Sequence, residues 1–394
     1  MSHGSHSTQR TFDQIIVGAG VMGASIAFHL GQRKAGRILV LDKAHAGSGG
    51  SGRSSALVRM HYSFPPEVQL ALISLRMFEN WHELVGEPEL FKKTGFVRVV
   101  HPNESERLRR NVEMQQGLGV NVRIIGRSEL CELEPDWRVD DIEIAAYEPD
   151  SGYGDGAGVA NDFLARARDL GAAYLPRTQA HELLIDGDTV IGVKTDQGEF
   201  HAPSVVVATG PWTRALVGPA GIDIPIETEF HQVAILRNAP DQRPGGCACI
   251  DSGSATYFRP DGMEKTLVGD FYGTRPIDPD NFPQRPSDES LATMIERACL
   301  RIPKLERAEV MRGVTGVYDM TPDSRPLLGA ASEVQGVYVC AGFSGMGFKI
   351  SPAVGLVMSE LICGDRPTVD ISAFRPQRFA EGQPIRAEYE YVDD

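Results

Sequence analysis

The 394-residue sequence is short of positive charge: 39 lysines and arginines stand against 53 aspartates and glutamates, a net charge of −14. Such a surface repels phosphate backbones and anionic headgroups, so nucleic acid and membrane surfaces are poor partners and small molecules remain. No apolar run approaches the roughly 18 residues a membrane helix needs, and no part of the chain is expected to span a bilayer. Cysteine is sparse, with Cys131, Cys247, Cys249, Cys299, Cys340 and Cys363. Without a secretory signal these read as reduced thiols in a cytoplasm. Cys247 and Cys249 form a lone C-x-C without the second pair or nearby histidine that tetrahedral zinc requires, so no metal site is expected and a buried or loop thiol is the plain account. Ser-His-Asp, metal-cluster and paired-carboxylate patterns are missing, as are internal repeats, and the ten histidines are scattered. Residues 1–10, polar and rich in Ser and His, read as a leader or tag remnant outside the fold.

Glycine, by contrast, is plentiful at 42 residues. Residues 12–17 form a short apolar run of strand type, Gly18-Ala19-Gly20-Val21-Met22-Gly23 follows, and an apolar helical stretch with Ile26, Ala27, Phe28 and Leu30 comes next. Gly18 permits a tight turn, Gly20 lets the main chain approach a pyrophosphate, and Gly23 with Ala27 lets the helix pack closely on the strand. The anion then sits at a helix N-terminus beside Val21 and Met22, where unpaired N–H groups point outward. A second strand, residues 37–41, ends at Asp42 and Lys43, about 20 residues past the glycines, where an acid accepts hydrogen bonds from an adenosine ribose. A lone G-x-G-x-x-G is weak evidence and a structural turn is its bland alternative. The complete frame of strand, helix, second strand and acid favours dinucleotide binding without separating FAD from NAD.

Beyond Asp42 comes a small-residue loop, 47–55, containing Ser51, Arg53, Ser54 and Ser55, and then Ala56-Leu57-Val58-Arg59. A simple NAD domain would proceed to another strand and helix; the loop reads as a flavin wrap. Three later segments are read as strands running into glycine: Val205 through Ala208, Gly210 and Trp212; Gly316 through Tyr318 to Asp323; and residues 337–349. The last ends in Gly342, Phe343, Ser344, Gly345, Met346, Gly347, Phe348 and Lys349, ahead of an apolar helix expected over 352–362. Its backbone donors and the helix dipole would stabilise negative charge at N1 and O2 of a reduced flavin ring.

On these motifs the sequence resembles the D-amino acid oxidase superfamily, in its sarcosine oxidase and glycine oxidase branch, from Phe12 to about Ile362. Most specific are the N-terminal fingerprint, the Ala208 to Trp212 strand end, the Thr321-Pro322-Asp323 turn with Gly329, and the Gly342 to Lys349 loop. The resemblance implies an α/β chain: a Rossmann-like FAD domain of glutathione-reductase type from residues 11–82, 140–229 and 308–375, and a substrate domain of antiparallel sheet capped by helices from 83–139 and 230–307. Pattern adds helices over 67–84, 104–118 and 287–300, strands over 94–100, 232–237 and 266–271, and a proline-rich surface loop over 276–286.

The resemblance also implies that Arg59 and Lys349 grip a substrate carboxylate, an arrangement that would fix the substrate's Cα–H over flavin N5. The plain alternatives are a phosphate or salt-bridge arginine and a solvent-facing lysine. Tyr318 stands where glycine oxidase and D-amino acid oxidase carry a carboxylate-binding arginine, which disfavours the D-amino acid mode. Tyr257 is placed to line the pocket or, equally, to be a core tyrosine. Gly316 replaces the cysteine that links flavin covalently in some sarcosine oxidases, so FAD is expected to be noncovalent. Leu267 replaces a lysine that assists oxygen reduction, which leaves O2 and an electron-accepting partner both open as acceptors. His61, close behind Arg59, reads as a hydrogen-bonding neighbour rather than a base.

The implied chemistry is oxidation of the C–N bond of a secondary-amine amino acid, sarcosine or another N-substituted glycine, by hydride transfer to flavin N5 and imine hydrolysis in water. Beside it stand a glycine, D-amino acid or proline-type dehydrogenase, and an FAD-binding subunit that passes electrons to a partner. Oligomeric state leaves no mark in the sequence.

Overall fold

Short Val- and Ile-rich strands buried on both faces require a sheet covered on two sides, and helices or a second sheet must supply the cover. In the computed structural model, which describes residues 10–243, 245–271 and 275–391, a six-stranded sheet runs in the order Leu327–Ala330, Val337–Ala341, Val205–Val207, Gln14–Val17, Ile38–Leu41, Ala173–Leu175. All neighbours are parallel except the outermost pair, Leu327–Ala330 with Val337–Ala341. Alternation along each strand sends Ile16, Ile38, Val40 and Val206 into one apolar cluster and Ile15, Val17, Leu39, Leu41, Val205 and Val207 into another. Helix Val21–Gln32 anchors the first cluster and packs against helices Gly156–Asp169 and Gly347–Ile362. A three-stranded antiparallel sheet, Ala180–Asp186, Thr189–Thr195 and Gly198–His201, closes the second. Residues 1–9 lie outside the described residues, and the Arg10 carbonyl, which the sequence reading sets outside the fold, accepts from the His201 N–H at 2.8 Å.

A second, eight-stranded sheet runs Glu309–Met320, Glu227–Arg237, Lys265–Asp270, Thr256–Pro260, Ala248–Asp251, Phe96–Val99, Ile144–Glu148, Arg123–Gly126. It is antiparallel except between Ala248–Asp251 and Phe96–Val99. Helix Asp288–Arg301, N-capped by Ser287, covers one face over Trp137, Phe258 and Val268. The other face presents Phe96, Val233, Ile235, Tyr257 and Leu267 to Leu57, which follows the flavin-wrap loop. Strands Ile144–Glu148 and Glu309–Met320, which the sequence reading groups with the FAD-binding pieces, pair within this second sheet. Among the described residues no helix is long and apolar enough to cross a membrane.

Three local expectations are corrected. The helix expected from Pro352 begins at Gly347 and carries Pro352 inside it. Proline removes the N–H that would bond to the Phe348 carbonyl, and the Ser351 hydroxyl donates to that carbonyl instead, at 2.8 Å. The helix expected over 67–84 is interrupted at Asn80, between Pro65–Glu79 and Trp81–Val85, where the Asn80 side chain donates to the Arg76 carbonyl at 2.7 Å and competes with the helical ladder. Gly316 does not end a strand: it lies within Glu309–Met320, opposite His231.

Candidate cofactor and substrate sites

In a parallel sheet the turns after the strands emerge along one edge, and ligands gather there. The register of Val17 with Leu41 and with Val207 brings the glycine turn, Asp42 and Ala208 to that edge. They line a cavity of about 470 Å³. Gly18, Gly20, Val21, Met22, Asp42, Lys43, Ser51, Ser54, Ala208, Gly210 and Trp212 form one part of its wall, and Tyr318, Phe343, Gly345, Gly347 and Phe348 another. Gly20 and Gly345, far apart in sequence, thus face the same space. Gly18 has φ +106°, and a Cβ there would fall 2.3 Å from the Ala208 carbonyl oxygen. A Cβ on Gly23, which does not line the cavity, would fall 1.8 Å from the Gly18 oxygen, so this glycine serves helix–turn packing.

Asp42 accepts from the Ala19 N–H at 2.8 Å and the Ala44 N–H at 2.7 Å, which uses two of about four lone-pair positions on the carboxylate and leaves the rest for ligand hydroxyls. Ser51 Oγ accepts from the Val21 N–H at 3.0 Å, at the helix start. Thr178, Gln179, Ala180 and His181 also line the cavity and were missed by sequence reasoning. Their signal was available: they follow strand Ala173–Leu175, which runs parallel to Ile38–Leu41 and ends on the same edge.

Other predicted cofactor contacts are used elsewhere. Lys43 stays on the cavity wall but pairs with Asp280 at 2.7 Å and covers the Trp212 ring at 3.6 Å, and Trp212 Nε1 donates to Asp280 at 2.9 Å. The proline-rich loop, exposed at the surface as expected, therefore also lends Asp280 to the cavity wall. Arg53 donates to the Thr315 carbonyl at 3.0 Å and to Gln284 at 3.1 Å, the Ser55 carbonyl accepts from Arg259 at 2.6 Å, and Gly316 backs onto Arg53. In the C-terminal loop the Gly342 N–H donates to the Asp319 carboxylate at 2.6 Å, the Ser344 N–H to the Asp319 carbonyl at 3.0 Å and the Met346 N–H to the Phe343 carbonyl at 2.8 Å. Asp319 has thus claimed loop donors that the sequence reading reserved for a flavin carbonyl, while Gly345 and the helix start at Gly347 and Phe348 still line the cavity. Burial pushes the Asp319 carboxyl up to about 6, against the pull of the Gly342 and Phe343 amides.

Next to this cavity two cations approach one ring. The Arg59 guanidinium lies 4.4 Å from the Tyr62 centroid and Lys349 Nζ lies 5.9 Å from it. Arg59 donates to the His61 carbonyl, but its Nε is buried without a hydrogen-bond partner. Lys349 is 6% exposed; burial and then the Arg59 charge hold its ammonium well below the usual range, with Glu67 an opposing influence. Arg59 also covers Phe96 at 5.8 Å, and Phe96 shares an apolar cluster with Tyr257 and Leu267. The Tyr257 and Tyr318 hydroxyls are hydrogen-bonded to each other, and burial raises both. His231, which sequence reasoning missed, stacks on Tyr318 with centroids 3.7 Å apart. Strand register would have placed it next to Tyr318, through its pairing with Gly316.

A family model described as DAO, FAD dependent oxidoreductase, matches residues 13–361. The chain belongs to this FAD-dependent oxidoreductase family. It is 29% identical to monomeric sarcosine oxidase of Bacillus sp. (strain B-0618), over 93% of this chain and 96% of that one. It is 28% identical to 4-methylaminobutanoate oxidase (formaldehyde-forming) of Paenarthrobacter nicotinovorans, over 94% of this chain but only 46% of that longer protein. L-Proline dehydrogenase from P. horikoshii superposes with a TM-score of 0.88 at 28% identity, covering 96% of this chain and all of its own.

The cavity fits the FAD this family requires: it joins a glycine turn and helix start, with Asp42 beside them, to a second helix start at Gly347, and close backbone approach is enforced at Gly18 and Gly23. Beside His61, at 3.7 Å from its Nδ1, lies Glu148, fully buried, accepting from the Met60 N–H at 2.9 Å and Ser151 Oγ at 2.5 Å. Burial pushes its carboxyl from 4.5 up to about 6. The folded state therefore holds this proton more tightly than the unfolded chain, so the associated stability is present below pH 4.5 and is lost as pH rises through about 6. Glu148→Gln keeps the hydrogen bonds and removes the titration. Relative to the wild type, its stability should gain about 2 kcal/mol between those pH values, read from paired denaturation curves. Parallel pH profiles for the two proteins would contradict the assignment.

Proposed function

We propose that this DAO-family enzyme oxidises the C–N bond of a small secondary-amine amino acid, sarcosine or another N-substituted glycine, with imine hydrolysis following in water. The carrying observation is the pair of cations, Arg59 and Lys349, held together next to the cofactor cavity with a buried guanidinium nitrogen still lacking an acceptor. Two adjacent positive charges out of water call for an anion. A substrate carboxylate meets that need, offsets the burial and the Arg59 repulsion that depress Lys349, and orients the amine end toward Tyr257 and Tyr318. Bound FAD supplies the hydride acceptor. Asp42 and the Gly18 to Gly23 turn would hold its adenosine and pyrophosphate, and the helix start at Gly347 and Phe348 its ring end.

The FAD is held noncovalently in this reading. Gly316 offers no sulfur, and the Cys340 thiol, which lines the cavity, is raised by burial and the nearby Asp319 charge and stays protonated and unreactive. Acid precipitation should release all flavin to the supernatant; a yellow pellet would contradict it.

Anaerobic titration with sarcosine, glycine, D-alanine and both proline isomers, followed by loss of the visible flavin band, tests the substrate class. Reduction by secondary amino acids but not by their methyl esters supports the clamp, and equal reduction by the esters removes it. A second reading, a cyclic imino acid dehydrogenase, draws on the likeness to L-proline dehydrogenase, since proline is also a secondary amine with a carboxylate. Leu267, 3% exposed in the apolar cluster with Tyr257, favours electron transfer to a carrier or partner subunit over rapid reaction with O2. Turnover with an artificial acceptor and little peroxide is the corresponding outcome.

A further inference from the structure

The last described residues return to the interior. Tyr391 is 3% exposed; its hydroxyl lies 2.8 Å from His61 Nε2, its ring stacks on that imidazole at 5.8 Å and 17°, and the Arg98 guanidinium covers it at 4.8 Å. The segment leading to it is irregular, yet it is tied down in sequence. The Ile385 N–H donates to Asp323 at 2.9 Å, the Tyr389 carbonyl accepts from Asn111 at 2.9 Å, and Glu390 pairs with Arg325 at 2.8 Å. Irregular segments are ordinarily the loosest parts of a fold, and a run of tethers delivering one aromatic side chain to a buried histidine is a specific arrangement.

What that histidine does is visible in its neighbours. Arg59 donates to the His61 carbonyl, so the placement of His61 fixes where the clamp guanidinium points. The His61 ring has Phe96 at 6.5 Å and Tyr391 at 5.8 Å. Its Nδ1 is buried without a hydrogen bond, 3.7 Å from Glu148 Oε1. Tyr391 gives Nε2 a short hydrogen bond beside the contact the ring makes with Gln115, and the phenol packs against the imidazole face, where it opposes a swing of the ring.

We propose that Tyr391 is a positioning residue of the substrate site, acting through His61 to hold Arg59 in the geometry that receives a carboxylate. The inference rests on the carboxylate clamp and goes beyond it by making the C-terminal segment a determinant of substrate affinity, although it contributes no residue to the cofactor cavity.

The experiment uses the FAD-loaded full chain, with acetate as the carboxylate probe and its dissociation constant read from perturbation of the visible flavin spectrum. Tyr391→Ala should weaken acetate about 10-fold, because a small displacement of an anchoring group is felt strongly at the bound ligand. Tyr391→Phe, which keeps the ring and loses one hydrogen bond, should weaken it about 3-fold. FAD affinity, measured by fluorescence on dilution, should stay within about 2-fold of wild type in both, which a general loosening of the fold would not allow. With the amino acid that best reduces the flavin, KM should rise while kcat holds. Arg59→Met serves as the reference. If it abolishes acetate binding while both Tyr391 variants bind like the wild type, the positioning role is overturned and the clamp stands. If Arg59→Met binds acetate normally, the clamp reading fails and takes this inference with it. Should Tyr391→Ala not fold, the phenylalanine variant decides the matter: unchanged acetate affinity overturns the proposal.

Discussion

Arg59→Met is expected to lower kcat/KM for the acidic amine about a thousandfold, since removing one partner of a desolvated, hydrogen-bonded charge pair costs about 4 kcal/mol and each 1.4 kcal/mol is about a factor of ten. The loss should fall mostly on KM if the carboxylate is gripped equally in ground and transition states, and on kcat if the grip sets the distance from Cα–H to the ring. Lys349→Met should behave differently in one respect. It weakens the substrate by a smaller factor, about a hundredfold, because Arg59 still provides a forked donor. It also raises thermal stability, since a cation that burial and Arg59 both disfavour is replaced by an apolar chain of similar length. The double variant should be little worse than Arg59→Met alone, the two side chains sharing one anion. Steady-state kinetics on an amino acid and on its methyl ester separate this from general damage. An ester that loses as much as the acid in Arg59→Met would show that the guanidinium does not see the carboxylate.

Legibility in the sequence followed range. The strand, glycine turn, helix and acid from Gln14 to Asp42 could be read because each requirement is met within one short stretch of backbone, and the apolar strands at Val205–Val207 and Val337–Ala341 announced themselves by composition. Arg59, Lys349, Tyr257 and Tyr318 were picked out by resemblance; Arg59 and Lys349 both approach Tyr62, Arg59 also covers Phe96, which shares a cluster with Tyr257, and Tyr257 is hydrogen-bonded to Tyr318. Single side chains decided the failures. Ser351 lets a helix run through Pro352, Asn80 interrupts a pattern that looked continuous, and Asp319 takes the Gly342 amide. Nothing in a window of neighbouring residues reveals such donations. Longer-range closures were out of reach for a related reason: Asp280 meeting Lys43 and Trp212, and Tyr391 meeting His61, are contacts whose partners lie far away in the chain, and polar loop residues carry no periodicity that would match one to another.

Gly18→Ala should yield protein without bound flavin, and with folding stability reduced by about 4 kcal/mol, a large part of the roughly 5–15 kcal/mol a domain has in reserve. Two penalties coincide there. The residue has φ +106°, which side-chain-bearing residues rarely adopt, and its Cβ would sit 2.3 Å from the Ala208 carbonyl oxygen, a backbone atom on the neighbouring parallel strand's continuation. Relief requires the turn to move away from Ala208, and both segments line the same part of the cofactor cavity. Gly23→Ala should produce the same loss by another route, prying the helix off the turn at the Gly18 oxygen 1.8 Å away. The comparison that gives these results meaning is Gly117→Ala, at the exposed end of helix Ser105–Gly117 with nothing within 4 Å of the added carbon. That variant should retain FAD and change stability by no more than about 0.5 kcal/mol, in the favourable direction. Urea denaturation and the ratio of flavin to protein absorbance give both quantities for all three variants. A yellow Gly18→Ala protein of wild-type stability would mean that the turn has room the backbone geometry does not show, and the placement of a pyrophosphate against Gly18 and Gly20 would have to be abandoned.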